Sequence, residues 1–426
     1  MKDDLQKLTE RLLSAARKAG AEAADAVALN DAAVSIDVRQ GKLEQAERAE
    51  STEIGLRVIV GRKQACVASS DLSDQTIAQM AERAVLMARE APEDATVGLA
   101  DPSEIARDWD LAAFDLCDPA DEPGAAALEA DARTAEAAAL GVPGVTMPES
   151  ASASYRHRRV HMAATNGFSG AYARTSRSIS AVAISGEGLT MERGWAAESR
   201  VYQSDLPDPT EVGLLAGQRA AGRAGPRKPR TGAYPVVYDE RIASGVIGHL
   251  MAAVNGSSIV RGSSWLRDAL GQQVLPAGLS VVEDPHRPRI SGSRPFDDEG
   301  LATRRREVVA DGVLTGWTLD LGTARRLGMQ STASAGRGLS SPPSPSVSNI
   351  ALTQGTRTRA DLIAEMGTGL LITSLIGSTI NPTTGDYDVT EFFGEAIVPL
   401  VEDMAFAKSI NLELGYRTSD YSTPGS

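Results

Sequence analysis

Histidine, which can serve in both metal and acid–base chemistry, is scarce, with four copies in 426 residues. His249 lies in the middle of a predicted helix that follows a buried strand, where a zinc enzyme can place its ligands. Such a helix needs two histidines about one turn apart, but the residues three to five positions later are Ala252, Ala253 and Val254. One imidazole cannot hold a catalytic metal unaided, so a histidine packed at the rim of a core helix is the simpler interpretation.

A second candidate cluster is the segment 283–288, where Glu283, Asp284 and His286 fall at the end of a predicted strand. With His249 supplied from the helix, these groups could form a metal site, although proline-flanked charged loops are more often solvated turns. The acidic cluster 297–299 and the basic triplet 304–306 are expected to form salt bridges with each other. His157 and His161 share one face of another predicted strand, and no aspartate is identifiable as the third member of a triad.

The run from Gly369 to Tyr387 is rich in small residues and contains Asn381, Gly385 and Asp386. Strands of this kind suit the close approach of another chain, as when a peptide adds to a sheet edge. A buried strand followed by a glycine-rich turn explains the same pattern equally well.

Composition excludes several classes of protein. The sequence has no CxxC, HExxH, GxxxxGK[ST] or GxSxG motif, and no GxGxxG between a strand and a helix. A net charge of −13 argues against nucleic-acid binding, which requires a basic surface. The first residues lack a secretory pattern, and the longest uncharged stretch, 366–385, is too polar to span a bilayer. With only two cysteines, Cys66 and Cys117, we expect a cytosolic protein that binds no membrane.

Hydrophobic periodicity predicts two unlike halves. In the first half it predicts helices over 4–19, 73–89, 124–140 and 209–221, and antiparallel strands within 24–69 and 145–202. A basic Gly/Pro-rich linker over 223–230 separates the two halves. In the second half the pattern predicts strands over 234–238, 279–282 and 350–353 and a helix over 241–254. It also predicts an Asp-Gly hairpin over 306–317 and a mobile loop over 336–348. The predicted class is α+β, with an N-terminal domain over 1–225, an antiparallel sheet with helices, and a strand-rich domain with few helices over 226–426.

The second half of the sequence contains a set of short motifs that together are distinctive. They are Arg261-Gly262-Ser263-Ser264, Pro276-Ala277-Gly278, Asp284-Pro285-His286-Arg287-Pro288, Ser293-Arg294-Pro295-Phe296-Asp297-Asp298-Glu299-Gly300, Asp311-Gly312-Val313-Leu314, Ala324-Arg325-Arg326-Leu327-Gly328 and Asn381-Pro382-Thr383-Thr384-Gly385-Asp386-Tyr387. With these motifs the sequence resembles the TldD/PmbA family, and its PmbA (TldE) branch in particular.

The resemblance implies a two-domain subunit that pairs with a TldD-like chain to form a cytosolic metalloprotease acting on unfolded peptides. In that family the TldD-type subunit carries an HExxxH helix and a later cysteine as its zinc site. The activities attributed to the pair are processing of a peptide antibiotic precursor and degradation of an antitoxin.

Carried onto this sequence, the metal-ligand positions fall near Gly248, His249 and Ala253, and no cysteine follows Cys117. The resemblance therefore implies a non-catalytic subunit that holds no metal, with zinc in the partner chain. The candidate peptide-channel residues that it implies are His249, Asp284, His286, Asn381, Gly385 and Asp386.

Two other functions stay open at this point. One is a self-sufficient metallopeptidase that uses His249 and His286 with Glu283 or Asp284, and the other is a homodimeric peptide-binding scaffold. The sequence after Asp386 also departs from the family pattern, because Lys408 follows Ala407 where a further helix is expected.

Overall fold

The computed structural model describes residues 2–374, 388–404 and 407–422. The chain divides into two compact units, Met1–Ser374 and Leu375–Ser426. Helices and strands both contribute to the first unit, which confirms the predicted α+β class. The predicted domain division at residue 225 stays a prediction, although residues 223–230 are mostly exposed and form neither helix nor strand.

The first half of the larger unit matches the predicted helices closely. Ser73 accepts a hydrogen bond from the backbone N–H of Thr76 and caps the second helix, as its position in the sequence indicates. The elements are α1 (Lys2–Ala19), β1 (Ala23–Arg39), β2 (Lys42–Val60), β3 (Lys63–Ser69), α2 (Asp74–Glu90), α3 (Leu111–Phe114), α4 (Ala125–Leu140), β4 (Val145–Ala164), β5 (Ser169–Ser185), β6 (Glu192–Arg200) and α5 (Pro209–Ala221).

In the described part of the chain, β1 to β6 form an antiparallel sheet in the order β3-β2-β1-β4-β5-β6. Because successive side chains on a strand point to opposite faces, the even-numbered residues of β1 share one face. That face carries Ala24, Ala26 and Ala28 under α1 and α2, and Val34 and Ile36 under α4 and α5. Small side chains on the strands let the helices pack closely, so a core with few aromatic residues is sufficient.

The helices α4 and α5 approach each other unusually closely. A Cβ atom at Gly213 would lie 2.0 Å from the carbonyl oxygen of Ala135, and one at Gly217 would lie 2.6 Å from that of Ala139. Glycine is therefore required at Gly213 for steric reasons, although its backbone conformation is helical.

The opposite face of the sheet packs against loops from the second half of the unit. Val27, Val160 and Met162 on the strands contact the same apolar cluster as Phe296 and Leu301. Phe296 also makes edge-to-face contacts with Trp109, Phe168 and Tyr172, at ring centroid distances of 5.0 to 5.7 Å. This cluster fixes the loop that begins at Phe296 against the sheet.

The second half of the unit contains short strands joined by long irregular segments. The predicted Asp-Gly hairpin is confirmed, because Asp311 and Gly312 have φ values of 47° and 83°, the positive pair that a type I′ turn requires. The elements are β7 (Val236–Tyr238), α6 (Glu240–Ala253), α7 (Gly256–Val260), β8 (Val281–Glu283), β9 (Arg306–Ala310), β10 (Val313–Leu314), α8 (Leu321–Leu327), β11 (Ala335–Gly336), β12 (Ser344–Pro345), β13 (Ile350–Leu352), α9 (Arg359–Met366) and β14 (Leu370–Ile372).

These short strands form three small sheets among the described residues. The largest has the order β10-β9-β8-β13, β11 pairs with β12, and β14 pairs with β7 in parallel. The Pro/Ser composition of the segment 336–348 predicts a mobile loop, but the segment is not irregular throughout. Its first residues are anchored because β11 pairs with β12 and Arg337 forms an ion pair with Asp25.

In the second unit, β15 (Asp388–Met404) and β16 (Ala407–Ser422) pair as an antiparallel hairpin. The described helices include none with both the length and the apolar character needed to cross a membrane.

Candidate functional site

A large groove in the first unit lies between α6 and the sheet formed by β8 and β13, with a volume of about 1170 Å³. Its walls are mostly apolar, and charged side chains stand at its rim. On the helix side it is lined by Ala243, Ser244, Ile247, Gly248, Met251 and Ala252, and on the sheet side by Val282, Ile350, Ala351 and Leu352.

The start of α6 is fixed by the buried carboxylate of Asp239. Asp239 caps the helix and accepts hydrogen bonds from the backbone N–H of Arg241 at 3.2 Å and from its Nε at 2.5 Å. The hydrogen bond from the Arg241 side chain lowers the pKa of Asp239 to about 2, so the carboxylate is charged at neutral pH. Arg359 on α9 forms a second ion pair with Asp239 at 3.1 Å. The helix that lines the groove is therefore held at its N-terminal end from two sides.

The groove face of α6 is made largely of small residues. Gly248 has no atom within 4 Å of the place where a Cβ would stand, so the helix backbone is open to the groove at this turn. Leu250 and Ala253 of α6 pack into the core, and Met251 belongs to the same core while it also lines the groove. A ligand in the groove can therefore approach the helix most closely at Gly248.

The sheet side of the groove ends in a strand that is unpaired on one edge among the described residues. Asp284 donates its N–H to the carbonyl of Asn349, and Thr353 donates its N–H to the carbonyl of Ser280. Because the direction of backbone groups alternates along a strand, the N–H and C=O groups of Ile350 and Leu352 point away from β8. These are the groups with which an extended peptide could pair.

The rim of the groove carries one carboxylate and two guanidinium groups, from Asp284, Arg287 and Arg305. Asp284 accepts a hydrogen bond from the backbone N–H of His286 at 3.0 Å. Asp284 and Glu283 lie on opposite faces of the chain. Glu283 is buried and forms an ion pair with Arg306 at 2.7 Å, so its side chain does not face the groove.

The predicted salt bridges between the acidic cluster 297–299 and the basic triplet 304–306 are not formed among the described residues, since Arg306 pairs with Glu283. Asp297 is fully buried and accepts hydrogen bonds from the backbone N–H groups of Glu299, Leu301 and Ala335. The expectation was wrong because these carboxylates turn inward and are satisfied by backbone groups.

Of the predicted site residues, Asp284 and Gly248 line the groove. His249 is half-buried and is not part of the lining, and Ala253 is buried in the core. His286 is exposed, with Nε2 at 3.0 Å from Thr303 Oγ1 and its ring against Phe114. Three further candidates, Asn381, Gly385 and Asp386, lie outside the described residues. The predicted channel therefore stays a prediction.

The described residues do not fit a catalytic zinc at this groove. Zinc sites use three or four ligands from histidine, cysteine and carboxylates, and among residues 2–374 no group of three such side chains is close enough to hold a metal ion. At the positions that the family resemblance assigns to ligands stand Gly248, His249 and Ala253, of which only His249 could bind a metal.

The strand β13 was predicted over 350–353, but sequence reasoning missed its position at the edge of a sheet and the groove residues Ala243, Ser244 and Ala252. The pattern of small residues at positions 243, 244, 248 and 252 repeats with helical spacing, and this was the available signal for a helix face that another chain can approach.

Comparison with known proteins places this architecture in one family. The sequence matches PmbA/TldA metallopeptidase domain 1 over residues 24–88, the central domain over 118–224 and the C-terminal domain over 231–398. It is 34% identical to metalloprotease PmbA of Escherichia coli O157:H7 over 354 residues, which cover 83% of this chain and 76% of that protein.

Solved structures share the fold. A candidate modulator of DNA gyrase from Bacteroides thetaiotaomicron superposes with a TM-score of 0.80 at 24% identity, covering 88% of this chain and 83% of that one. TldE from Thermococcus kodakarensis superposes with a TM-score of 0.75 at 16% identity, covering 91% and 86%. Together with the sequence matches, which span most of the chain, these findings show that the protein belongs to the PmbA/TldD metallopeptidase family.

Proposed function

We propose that this chain is a PmbA/TldE-type subunit of a heteromeric metallopeptidase and that it holds unfolded peptide substrates for a TldD-like catalytic partner. The observation that carries the proposal is the groove between α6 and β13. It offers unpaired backbone groups and a helix face of small residues, but no set of metal-binding side chains among the described residues. Zinc, the metal that the family resemblance implies, would then be supplied by the partner.

An extended peptide fits this groove by adding to the free edge of β13. The backbone groups of Ile350 and Leu352 would pair with alternate residues of the peptide, which gives affinity that is independent of sequence. The peptide side chains that point toward α6 would meet the open space at Gly248. Asp284 and Arg287 at the rim could pair with charged groups of the peptide. Such a site suits many unfolded peptides rather than one.

The test is a peptidase assay on unfolded peptide substrates with three preparations. These are this chain alone, this chain with a TldD-like partner, and this chain with a partner whose metal ligands are mutated. We expect hydrolysis only in the second preparation. Hydrolysis by the chain alone would contradict the proposal and favour a self-sufficient enzyme, and purification from the native host only as a homodimer would favour a peptide-binding scaffold.

A pair of glycine variants tests the groove itself. Gly248→Phe places a large side chain in the groove, whereas Gly245→Phe places the same side chain on an exposed part of the same helix where a Cβ also meets no atom within 4 Å. We expect the first variant to weaken peptide binding at least about tenfold and the second to leave it unchanged. Equal binding by both variants would show that peptides do not occupy the groove.

The cytosolic location expected from the sequence stays a prediction.

A further inference from the structure

A second cavity lies against β1, β4 and β5, on the face of the sheet that is not covered by the helices. Its volume is about 320 Å³. Strand register builds its floor in two rows: Leu29, Val160 and Tyr172 lie side by side, and Arg158 lies beside Arg174. The rest of the lining is formed by Val27, Met162, Asp298, Arg337, Gly338 and Leu339. We call this the arginine cavity. One end of it is apolar and the other end is cationic.

The cationic end keeps two like charges directly opposite each other. Arg158 and Arg174 are cross-strand partners on β4 and β5, an arrangement that is destabilising unless an anion lies between or beside the two groups. Asp31 is the acidic neighbour of this row, but it is shared because it forms ion pairs with both Arg156 and Arg158. Positive charge is therefore in excess at this end.

Arg337 adds a third guanidinium group, which is almost fully buried. Its ion-pair partner is Asp25, and Asp25 also forms an ion pair with Arg57 at 2.5 Å. The cavity lining thus contains three arginines and one carboxylate, Asp298, whose pKa is raised by burial.

Several nitrogen atoms of these arginines lack hydrogen-bond acceptors. Arg158 Nε, Arg174 Nε and Arg337 Nη2 are buried and have no hydrogen-bond partner among the described residues. Buried donors of this kind are rare in folded proteins, and a bound anion or water is the usual explanation. Here the three residues line one cavity, so a single anion with two or more oxygen atoms could serve all of them.

We propose that the arginine cavity binds a small carboxylate that carries an apolar group, the chemistry shared by a peptide C-terminus and a free apolar amino acid or acyl acid. The carboxylate lies among Arg158, Arg174 and Arg337, and the apolar group lies over Leu29 and Val160. A volume of about 320 Å³ accommodates roughly one residue. Inorganic phosphate would leave the apolar end empty, so it is the weaker ligand. The cavity is separate from the groove, and the inference does not depend on the proposed function.

The test is calorimetric titration of the full chain with three probes: N-acetyl-leucine, N-acetyl-leucinamide and inorganic phosphate. We expect saturable one-to-one binding of the acid, and binding of the amide and of phosphate that is weaker by roughly tenfold or more. Equal binding of acid and amide, tighter binding of phosphate, or no binding of the acid at millimolar concentration would overturn the proposal. A Leu-terminated peptide and its amidated form then distinguish a peptide C-terminus from a free acid.

A pair of arginine variants locates the binding site. Arg158→Gln and Arg156→Gln each remove one positive charge and one ion pair with Asp31, but only Arg158 lines the cavity. We expect the first variant to weaken binding of N-acetyl-leucine by roughly tenfold or more and the second to change it less than about twofold. Equal losses in both variants would place the ligand elsewhere. If the Arg158 variant does not fold, the comparison of acid and amide on the unmodified chain still decides the question.

Discussion

Replacement of Glu299 by glutamine should change how the stability of the protein depends on pH. Glu299 is half-buried, and its Oε2 accepts a hydrogen bond from the backbone N–H of Leu321 at 2.8 Å. Burial, together with the negative charge of Asp297, raises the pKa of Glu299 from 4.5 to about 8. Glu299 is therefore protonated at neutral pH, and a glutamine side chain resembles that neutral form in size and shape.

The sign and the size of the effect follow from proton binding. Between pH 4.5 and about pH 8 the folded protein keeps a proton on Glu299 that the unfolded chain has released. Since the unfolded state then binds fewer protons, the free energy of unfolding falls as pH rises through this window. At about 1.4 kcal/mol for each pH unit, the loss from this one group amounts to about 5 kcal/mol. Glu299→Gln should remove this loss and make the protein more stable than wild type above about pH 8.

The assay is urea unfolding followed by circular dichroism and tryptophan fluorescence, from roughly pH 5 to pH 9. The control is Glu307→Gln, which removes the same charge from an exposed position on β9. We expect the wild type and the control to lose stability in parallel as pH rises, and the Glu299 variant to lose much less. If all three proteins show the same pH dependence, or if Glu299→Gln is least stable at high pH, the buried proton assigned to Glu299 is refuted.

Three other outcomes test different parts of the structure. Gly213→Ala should lower the free energy of unfolding by about 1 to 3 kcal/mol or more in urea titrations, because its methyl group would overlap the carbonyl of Ala135. Asp25→Asn should cost about 3 to 5 kcal/mol in the same measurement, because it removes the ion-pair partner that the buried Arg57 and Arg337 share; a smaller loss than an exposed Asp→Asn control would contradict that view. A peptide N-methylated at every residue should bind the groove more weakly than the unmethylated peptide, measured by fluorescence anisotropy, because methylation removes the N–H groups that would pair with the C=O groups on the edge of β13.

The helices and the N-terminal sheet were predictable from the sequence because their signals are local. The sequence predicts a helix over 209–221, because a proline follows Asp208 at its start and Gly222 follows its last residue. The helix α5 has the same limits. The Asp311-Gly312 turn was equally predictable, since few dipeptides adopt two positive φ values.

The candidate groove was only partly predictable because it is assembled from distant segments. Asp284 and Gly248 were identified, but the three-residue strand at 350–352 becomes an edge only through pairing with β8, almost seventy residues earlier in the chain. Likewise, the acidic cluster at 297–299 looks like a solvated surface turn in the sequence. Its burial depends on Phe296, which inserts among aromatic residues from two other segments, at Trp109 and at 168–172.

The parallel pairing of β7 with β14 has a consequence for the order in which the protein forms during synthesis. Every strand of the N-terminal sheet lies within the first 200 residues, so that sheet can assemble while the ribosome is still translating the rest. The strand that leads into α6 must instead wait for its neighbour at Leu370–Ile372, more than 130 residues later. Nascent chains arrested before this point should therefore contain a protected N-terminal sheet and a protease-sensitive α6, so the ability to capture peptides would be acquired late in translation.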